Sequence, residues 1–329
     1  MEIHRPGEPA YAGGVTFQKV PLVLDAAELA GADVTIVGAP MDDMVTHRPG
    51  ARFGPREIRQ ATDLGGSDLW HLDLGVNPFD ELRVVDFGDA AVAPGDAERS
   101  HAAIRASVAA VVEAGAVPIV LGGDHSIAFP DISAVAAAHE PGTLAVVQFD
   151  THTDTATELF GVEWSHGTPF RNLVDRDVIP GHRLIQIGLR GYWPGRKEFD
   201  WMRSAGVRWH RMDEIVDHGI DAVLNAVLYE IADASHLFLS IDIDALDPAY
   251  APGTGTPEPG GMTTRELLRA VRRLTLERGL AGMEVVEVSP PYDHAQITAM
   301  AAHRVVLEAL SGLAAHRAGT KIAPEDPTR

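Results

Sequence analysis

"TLAVVQFDTHTDT" (residues 143–155) starts as a mainly apolar run and ends with Asp150, His152 and Asp154 at every second position. An extended backbone turns residues i, i+2 and i+4 to one face. The spacing therefore predicts that these three side chains converge at the end of a strand. An apolar run without alternation reads as a strand covered on both faces, as in a parallel sheet flanked by helices. Two acids and an imidazole at the end of such a strand need a partner, and a cation satisfies all three.

The same grammar repeats along the chain. "ADVTIVG" (32–38), "RVVDFG" (83–88), "VPIVLGG" (117–123), "RLIQIGLR" (183–190), "HLFLSIDID" (236–244) and "GMEVVEVS" (282–289) read as further strands. Stretches at 97–115, 127–140, 220–234, 263–279 and 294–317 have helical spacing, usually with a capping residue or glycine at one end. Strand–helix alternation implies right-handed crossovers. The predicted fold class is α/β: a single-domain, three-layer α/β/α architecture with a mainly parallel central sheet. Neither an internal repeat nor a Pro/Ser-rich linker divides residues 1–329. The polar ends, about 1–20 and 318–329, read as an N-terminal arm and a C-terminal tail.

Composition limits the partners. The 329 residues are 45% hydrophobic, enough for a substantial core. Lys and Arg number 27 against 47 Asp and Glu, a formal net charge of -20. That balance argues against nucleic acid, which needs a basic patch, and favours small cationic ligands. Cysteine is absent, which removes disulfides and thiolate zinc sites. The start "MEIHRPGEPA" has no basic region followed by an apolar core, and the apolar stretches are too interrupted for a membrane span. A cytoplasmic protein is expected.

Ligands of open α/β sheets bind beyond the carboxyl ends of the strands. Three clusters fall there: Asp124 and His125 in "LGGDHS", Asp150, His152 and Asp154 in "FDTHTD", and Asp242, Asp244 and Asp247 in "SIDIDALDP". Singly, "GGDH" makes a turn and "DID" a polar strand end. Together they aim three strand ends into one crevice. Asp150, Asp154, Asp242 and Asp244 supply four negative charges, and His125 and His152 two neutral nitrogens. Two divalent cations balance that set, whereas one zinc takes only three or four ligands. Oxygen-rich ligation with some imidazole suits Mn²⁺, with Ni²⁺, Co²⁺, iron and Zn²⁺ as alternatives.

"GGDHS", "FDTHTDT…SHGTPF", "SIDIDALDPAYAPGTGTPEPGG" and "EVVEVSPPYDH" resemble the signatures of the ureohydrolase (arginase/agmatinase) family, and "RPGARFGPREIR" (48–59) is similar to its N-terminal motif. The resemblance runs from about residue 33 to 310 and is nearest the agmatinase-type branch. It implies His125 and His152 as terminal metal ligands, Asp150 and Asp242 as bridges, and Asp154 and Asp244 each completing one metal. It also implies Asp154 facing the reaction, His166 shuttling protons, Glu287 pairing with the guanidinium and Thr256 supporting the metals. Relatives of this kind are usually trimers or hexamers.

The implied reaction is hydrolysis of a small guanidino compound to urea and an amine, with agmatine, giving putrescine, as the branch's usual substrate. Guanidinobutyrate, guanidinopropionate, guanidine or a biguanide are the alternatives within the class. Outside it stand a metal-binding, non-catalytic subunit and a dinuclear phosphoesterase. The complete set of eight site residues speaks against the first. The scarcity of basic residues near the motifs speaks against the second. Positions 41–47, "MDDMVTH", depart from the Gly-Gly-Thr-type turn common in relatives. No acid after "IGLRGYW" is placed to read an α-amino acid head group, which disfavours L-arginine. Residues 156–165, Tyr192 and Trp193 are expected at the pocket rim. Arg48, Arg52 and Arg56 are expected in ion pairs or interfaces.

Overall fold

The computed structural model describes residues 8, 9, 11–61, 69–193 and 195–319. Eight strands are present: β1 (Val34–Ala39), β2 (Val84–Asp89), β3 (Val117–Gly122), β4 (Leu144–Phe149), β5 (Leu184–Leu189), β6 (Arg208–Arg211), β7 (His236–Asp242) and β8 (Gly282–Val286). The helices are α1 (Gly54–Gln60), α2 (Pro78–Glu81), α3 (Ala97–Glu113), α4 (Ala128–Ala136), α5 (Pro169–Asp175), α6 (Arg196–Ala205), α7 (Met212–His218), α8 (Ile220–Glu230), α9 (Thr264–Arg278) and α10 (Ile297–Arg317).

The strands form one sheet in the order β2-β1-β3-β8-β7-β4-β5-β6, with every pair parallel. All residues of β1, β4, β5 and β8 are buried, so their apolar runs serve two cores at once. On one face, Ile58 of α1, Leu224 of α8, Leu267 and Leu274 of α9 and Val305 and Leu310 of α10 pack against the sheet. On the other, Ile104 and Val108 of α3, Ile132 of α4, Phe170 of α5 and Met202 of α6 do the same. The three-layer expectation holds. At its 21 residues, α10 is apolar enough to cross a membrane, but 83% of its most apolar stretch is buried, as befits a core helix.

Local chemistry sets the ends of these elements. Asp96 caps α3 by accepting the Arg99 N–H at 3.0 Å. Thr263 and Glu266 cap α9 reciprocally, with Thr263 N–H to Glu266 at 2.8 Å and Glu266 N–H to Thr263 Oγ1 at 3.2 Å. Inside the N-terminal motif, Arg59 is 6% exposed and grips both oxygens of the fully buried Asp86, at 2.8 and 2.9 Å. Its third arm reaches Asp89 at 2.6 Å. The pair locks α1 to the end of β2.

The structure corrects several expectations. β4 stops at Phe149, so Asp150, His152 and Asp154 do not converge by strand alternation. The chain bends there, and Asp154 takes a left-handed φ of 49°. The edge strand β6 was not foreseen; it has four residues and, among the described residues, pairs with β5 alone. Helices α1, α2, α5, α6 and α7 were also missed, because they are short or polar enough to resemble loops. The expected N-terminal arm is partly anchored: Phe17 is fully buried and its ring stacks on His303 at 4.4 Å. Residues 1–7, 10 and 320–329 lie outside the described residues.

Candidate metal centre and active site

In the sheet order, β3, β8, β7 and β4 are consecutive neighbours although they lie far apart in sequence. Their carboxyl ends carry His125, Glu287, Asp242 with Asp244, and Asp150 with His152 and Asp154, respectively. A parallel sheet thus delivers all these groups to one edge. Two groups of candidate ligands result: His125, Asp150, Asp154 and Asp242, and Asp150, His152 and Asp244. All six expected ligands are included. Asp150 belongs to both groups, whereas Asp242 belongs only to the first, although it was expected to bridge.

His125 Nδ1 lies 2.9 Å from Asp154 Oδ2, 3.2 Å from Asp150 Oδ2 and 3.3 Å from Asp242 Oδ2. This nitrogen is buried and makes no hydrogen bond of acceptable geometry. His152 Nδ1 lies 3.1 Å from Asp244 Oδ2 and 3.6 Å from Asp150 Oδ1. Burial alone lowers the proton affinity of both imidazoles, but the surrounding carboxylates outweigh it and raise both pKa values well above the ordinary range. The same pockets of negative charge accept a divalent cation with neutral imidazole. An orphaned buried Nδ1 facing three carboxylate oxygens is a donor set that fits a metal ion.

A buried polar row supports this edge, and the sequence reading missed it. Gln186, Gln148, Ser240 and Glu284 are register partners on β5, β4, β7 and β8. Each interrupts a run of apolar residues, with Gln148 and Ser240 two residues before Asp150 and Asp242. The Gln186 amide donates to Gln148 Oε1 at 2.5 Å, and Gln148 Nε2 donates to Asp150 Oδ2 at 2.6 Å. Ser240 Oγ lies 2.9 Å from His125 Nε2, leaving Nδ1 to face the carboxylates. A lone polar residue two positions before a ligand was the available signal. Arg190 was also missed: its guanidinium donates to the carbonyls of Asp244 and Glu258 and so holds the Asp244 loop.

Glu287 follows β8 with a left-handed φ of 63°. It is 1% exposed. Its Oε1 accepts the His125 N–H at 2.9 Å and lies 2.9 Å from His166 Nδ1. Its Oε2 is buried without a partner. Burial raises the Glu287 pKa, but His166 and His125 overcome that and hold it below the ordinary value. Burial likewise opposes charge on His166, but Glu287, Asp154 and Asp124 bring its pKa up to about 9. The Thr46 N–H, 3.1 Å from Nε2, opposes that charge.

A cavity of about 270 Å³ opens onto the centre, lined by His152, Asp154, His166 and Asp242 inside and by Leu159, Phe160 and Trp193 towards solvent. Thr256 also lines it, with Oγ1 3.4 Å from Asp244 Oδ2. Tyr192 is 99% exposed and is not among the lining residues. Leu159 and Val162 close a two-residue turn whose central residues, Phe160 and Gly161, have φ of 53° and 79°.

Other expected residues serve the scaffold. Asp124 accepts the N–H groups of Ser126 and Met44, at 2.9 and 3.0 Å. A side chain at Gly123 would strike the Met41 carbonyl, whose oxygen lies 1.7 Å from the position of its Cβ. Asp247 caps the Gly260 N–H at 2.7 Å. Arg52 pairs with Asp42 and Asp43, the two acids of "MDDMVTH". Arg48 lies over the Tyr292 ring, 5.3 Å from its centroid. Arg56 is exposed.

The Arginase family model matches residues 32–312. The proclavaminate amidinohydrolase of Streptomyces clavuligerus is 38% identical over 94% of this chain and 96% of its own. The guanidinopropionase of Pseudomonas aeruginosa is 39% identical over 93% of each. Among solved structures, a hypothetical agmatinase from Burkholderia thailandensis superposes with a TM-score of 0.86 at 33% identity, covering 97% of this chain and 98% of that one. The fold, the six clustered candidate ligands and these likenesses lead to one conclusion: the chain belongs to the Arginase family and is an amidinohydrolase.

Proposed function

We propose that the protein hydrolyses agmatine to urea and putrescine, using two divalent cations held between His125, Asp150, Asp154 and Asp242 on one side and Asp150, His152 and Asp244 on the other. Mn²⁺ is the metal proposed for this oxygen-rich set, with Ni²⁺ as the alternative. Bound ions supply Lewis acidity that makes water nucleophilic at neutral pH.

Glu287 carries the reading. A buried carboxylate with one engaged oxygen and one orphaned oxygen, on a left-handed backbone, is costly unless a ligand completes it. A guanidinium N–H that reaches the unpartnered Oε2 would form a charge-assisted pair with it. That pairing orients the guanidinium carbon in the cavity beside the carboxylates. Asp154 faces the same cavity, where its carboxylate can take a proton and pass it to the departing amine. His166 then restores the proton balance with solvent.

The arm of the substrate lies past Leu159, Phe160 and Trp193. No Lys or Arg is among the described residues that line the cavity, so the rim offers no cation to a guanidino acid. That supports agmatine over carboxylate-bearing guanidines. A homo-oligomer, trimer or hexamer, belongs to the same proposal. A separate groove of about 480 Å³ offers it a mixed surface, with the exposed Tyr250, Ile297 and Met300 beside Gln18 and Arg304. The test is urea release from a guanidine panel after Mn²⁺ loading, with metal content measured on the same sample. Full metal occupancy without urea from any guanidine overturns the reading.

A further inference from the structure

His166 is only 8% exposed, and both of its ring nitrogens are engaged. Nδ1 faces Glu287 Oε1 at 2.9 Å. Nε2 faces Thr46, with the backbone N at 3.1 Å and Oγ1 at 2.8 Å. The loop bearing Thr46 is stitched to the His166 segment by two further bonds: the Met44 carbonyl accepts the His166 N–H at 3.2 Å and the Ser165 hydroxyl at 3.3 Å. Thr46 itself is exposed and lines the cavity. A histidine assigned to exchange protons with solvent thus has a hydroxyl between its outward nitrogen and water.

We propose that Thr46 is a positioning residue for the reaction, its hydroxyl relaying protons between solvent and His166 Nε2. The proposal rests on the shuttle role given to His166 above. The two forms of the imidazole use different atoms of Thr46. Neutral His166 accepts the Thr46 N–H at Nε2. Protonated His166 donates from Nε2 to Thr46 Oγ1, which lies closer. A hydroxyl is both donor and acceptor and rotates freely, so one group serves both states. In recharging, a hydronium ion or buffer acid gives its proton to Oγ1 while the Oγ1 proton passes to Nε2. One O–H bond forms as another breaks, an N–H bond forms, and water or the conjugate base is left. The Glu287 carboxylate, 2.9 Å from Nδ1, favours that charging.

Thr46→Val keeps the shape, the backbone N–H and the loop, and removes only the hydroxyl. Thr46→Ser keeps the hydroxyl. The metal-loaded variants are compared for kcat, KM, metal content, solvent deuterium isotope effect and recovery by added imidazole. Thr46→Val is expected to lower kcat about tenfold with KM and metal content unchanged, to change the isotope effect, and to regain activity with imidazole. Thr46→Ser is expected to stay within about twofold of the parent. Equal rates and isotope effects for Thr46→Val and the parent overturn the relay. So does a loss that is the same in Thr46→Ser and insensitive to imidazole. His166→Ala run alongside separates the two claims: if it loses activity and Thr46→Val does not, the relay alone falls. If His166→Ala turns over normally, the shuttle reading falls and takes the relay with it.

Discussion

His166 Nδ1 lies 2.9 Å from Glu287 Oε1, and the same oxygen accepts the backbone N–H of the candidate ligand His125. One carboxylate oxygen thus ties the proposed shuttle to the metal edge, while the other is buried without a hydrogen-bond partner. Neither residue belongs to the ligand groups. His166→Ala should therefore keep the metals and slow turnover by roughly 10²–10⁴. Glu287→Gln should weaken guanidine binding and turnover together. Metal analysis beside urea-release kinetics checks both; full metal with near-normal rates in both variants would defeat the assignment.

Asp150 is common to both ligand groups, which makes the metal count diagnostic. The parent, reconstituted with Mn²⁺ and freed of excess, should hold two ions per chain. His152→Ala and Asp244→Ala should each lose one ion, and Asp150→Ala both. Saturation of the parent at a single ion contradicts the two-metal proposal.

The Arg59–Asp86 pair gives a stability test. Asp86 has no solvent exposure, so Arg59→Ala leaves a buried charge uncompensated. The expected cost is about 3–5 kcal/mol. Asp86→Asn added to Arg59→Ala should restore part of it. Calorimetric unfolding of the three proteins measures the effect; a loss near zero for Arg59→Ala would mean the pair contributes nothing.

The pH dependence of the chelated protein follows from His166. Its folded pKa, about 9, lies above the ordinary 6.5. A raised pKa means that the folded state binds the proton more tightly. The stabilisation is then fully present below about pH 6.5 and is lost as pH rises through about 9. Urea midpoints measured from pH 6 to 10 should fall in the parent and fall less in His166→Phe. Parallel curves would show that His166 is not the linked group.

Phe160 occupies a left-handed position in a two-residue turn and is 90% exposed. Asn tolerates that conformation, and Asn-Gly is a preferred pair for such turns. Phe160→Asn should raise stability by about 1 kcal/mol through relief of that strain. It should also raise KM for guanidines with a hydrocarbon arm, because the ring lines the cavity mouth. A thermal melt and an arm-length series decide the two halves separately.

The alternation of strand and helix, the parallel sheet and the six ligand candidates are all legible in the amino-acid sequence. Those features follow from hydrophobic patterning and residue type, which are local. It also placed Glu287 and His166, through their motifs. It misjudged how Asp150, His152 and Asp154 meet, because the end of β4 is set by contacts the strand pattern does not carry. Gln148 and the His152 N–H both hold Asp150, and Asp154 turns left-handed. It passed over Gln186, Ser240, Glu284 and Arg190, since each is a single polar residue whose meaning depends on which strand or loop lies beside it. The sheet order alone makes β3, β8, β7 and β4 neighbours, and so brings residues 125, 287, 242 and 150 to one edge. The contact of Thr46 with His166 likewise spans 120 positions of chain and exists only because tertiary packing closes that distance.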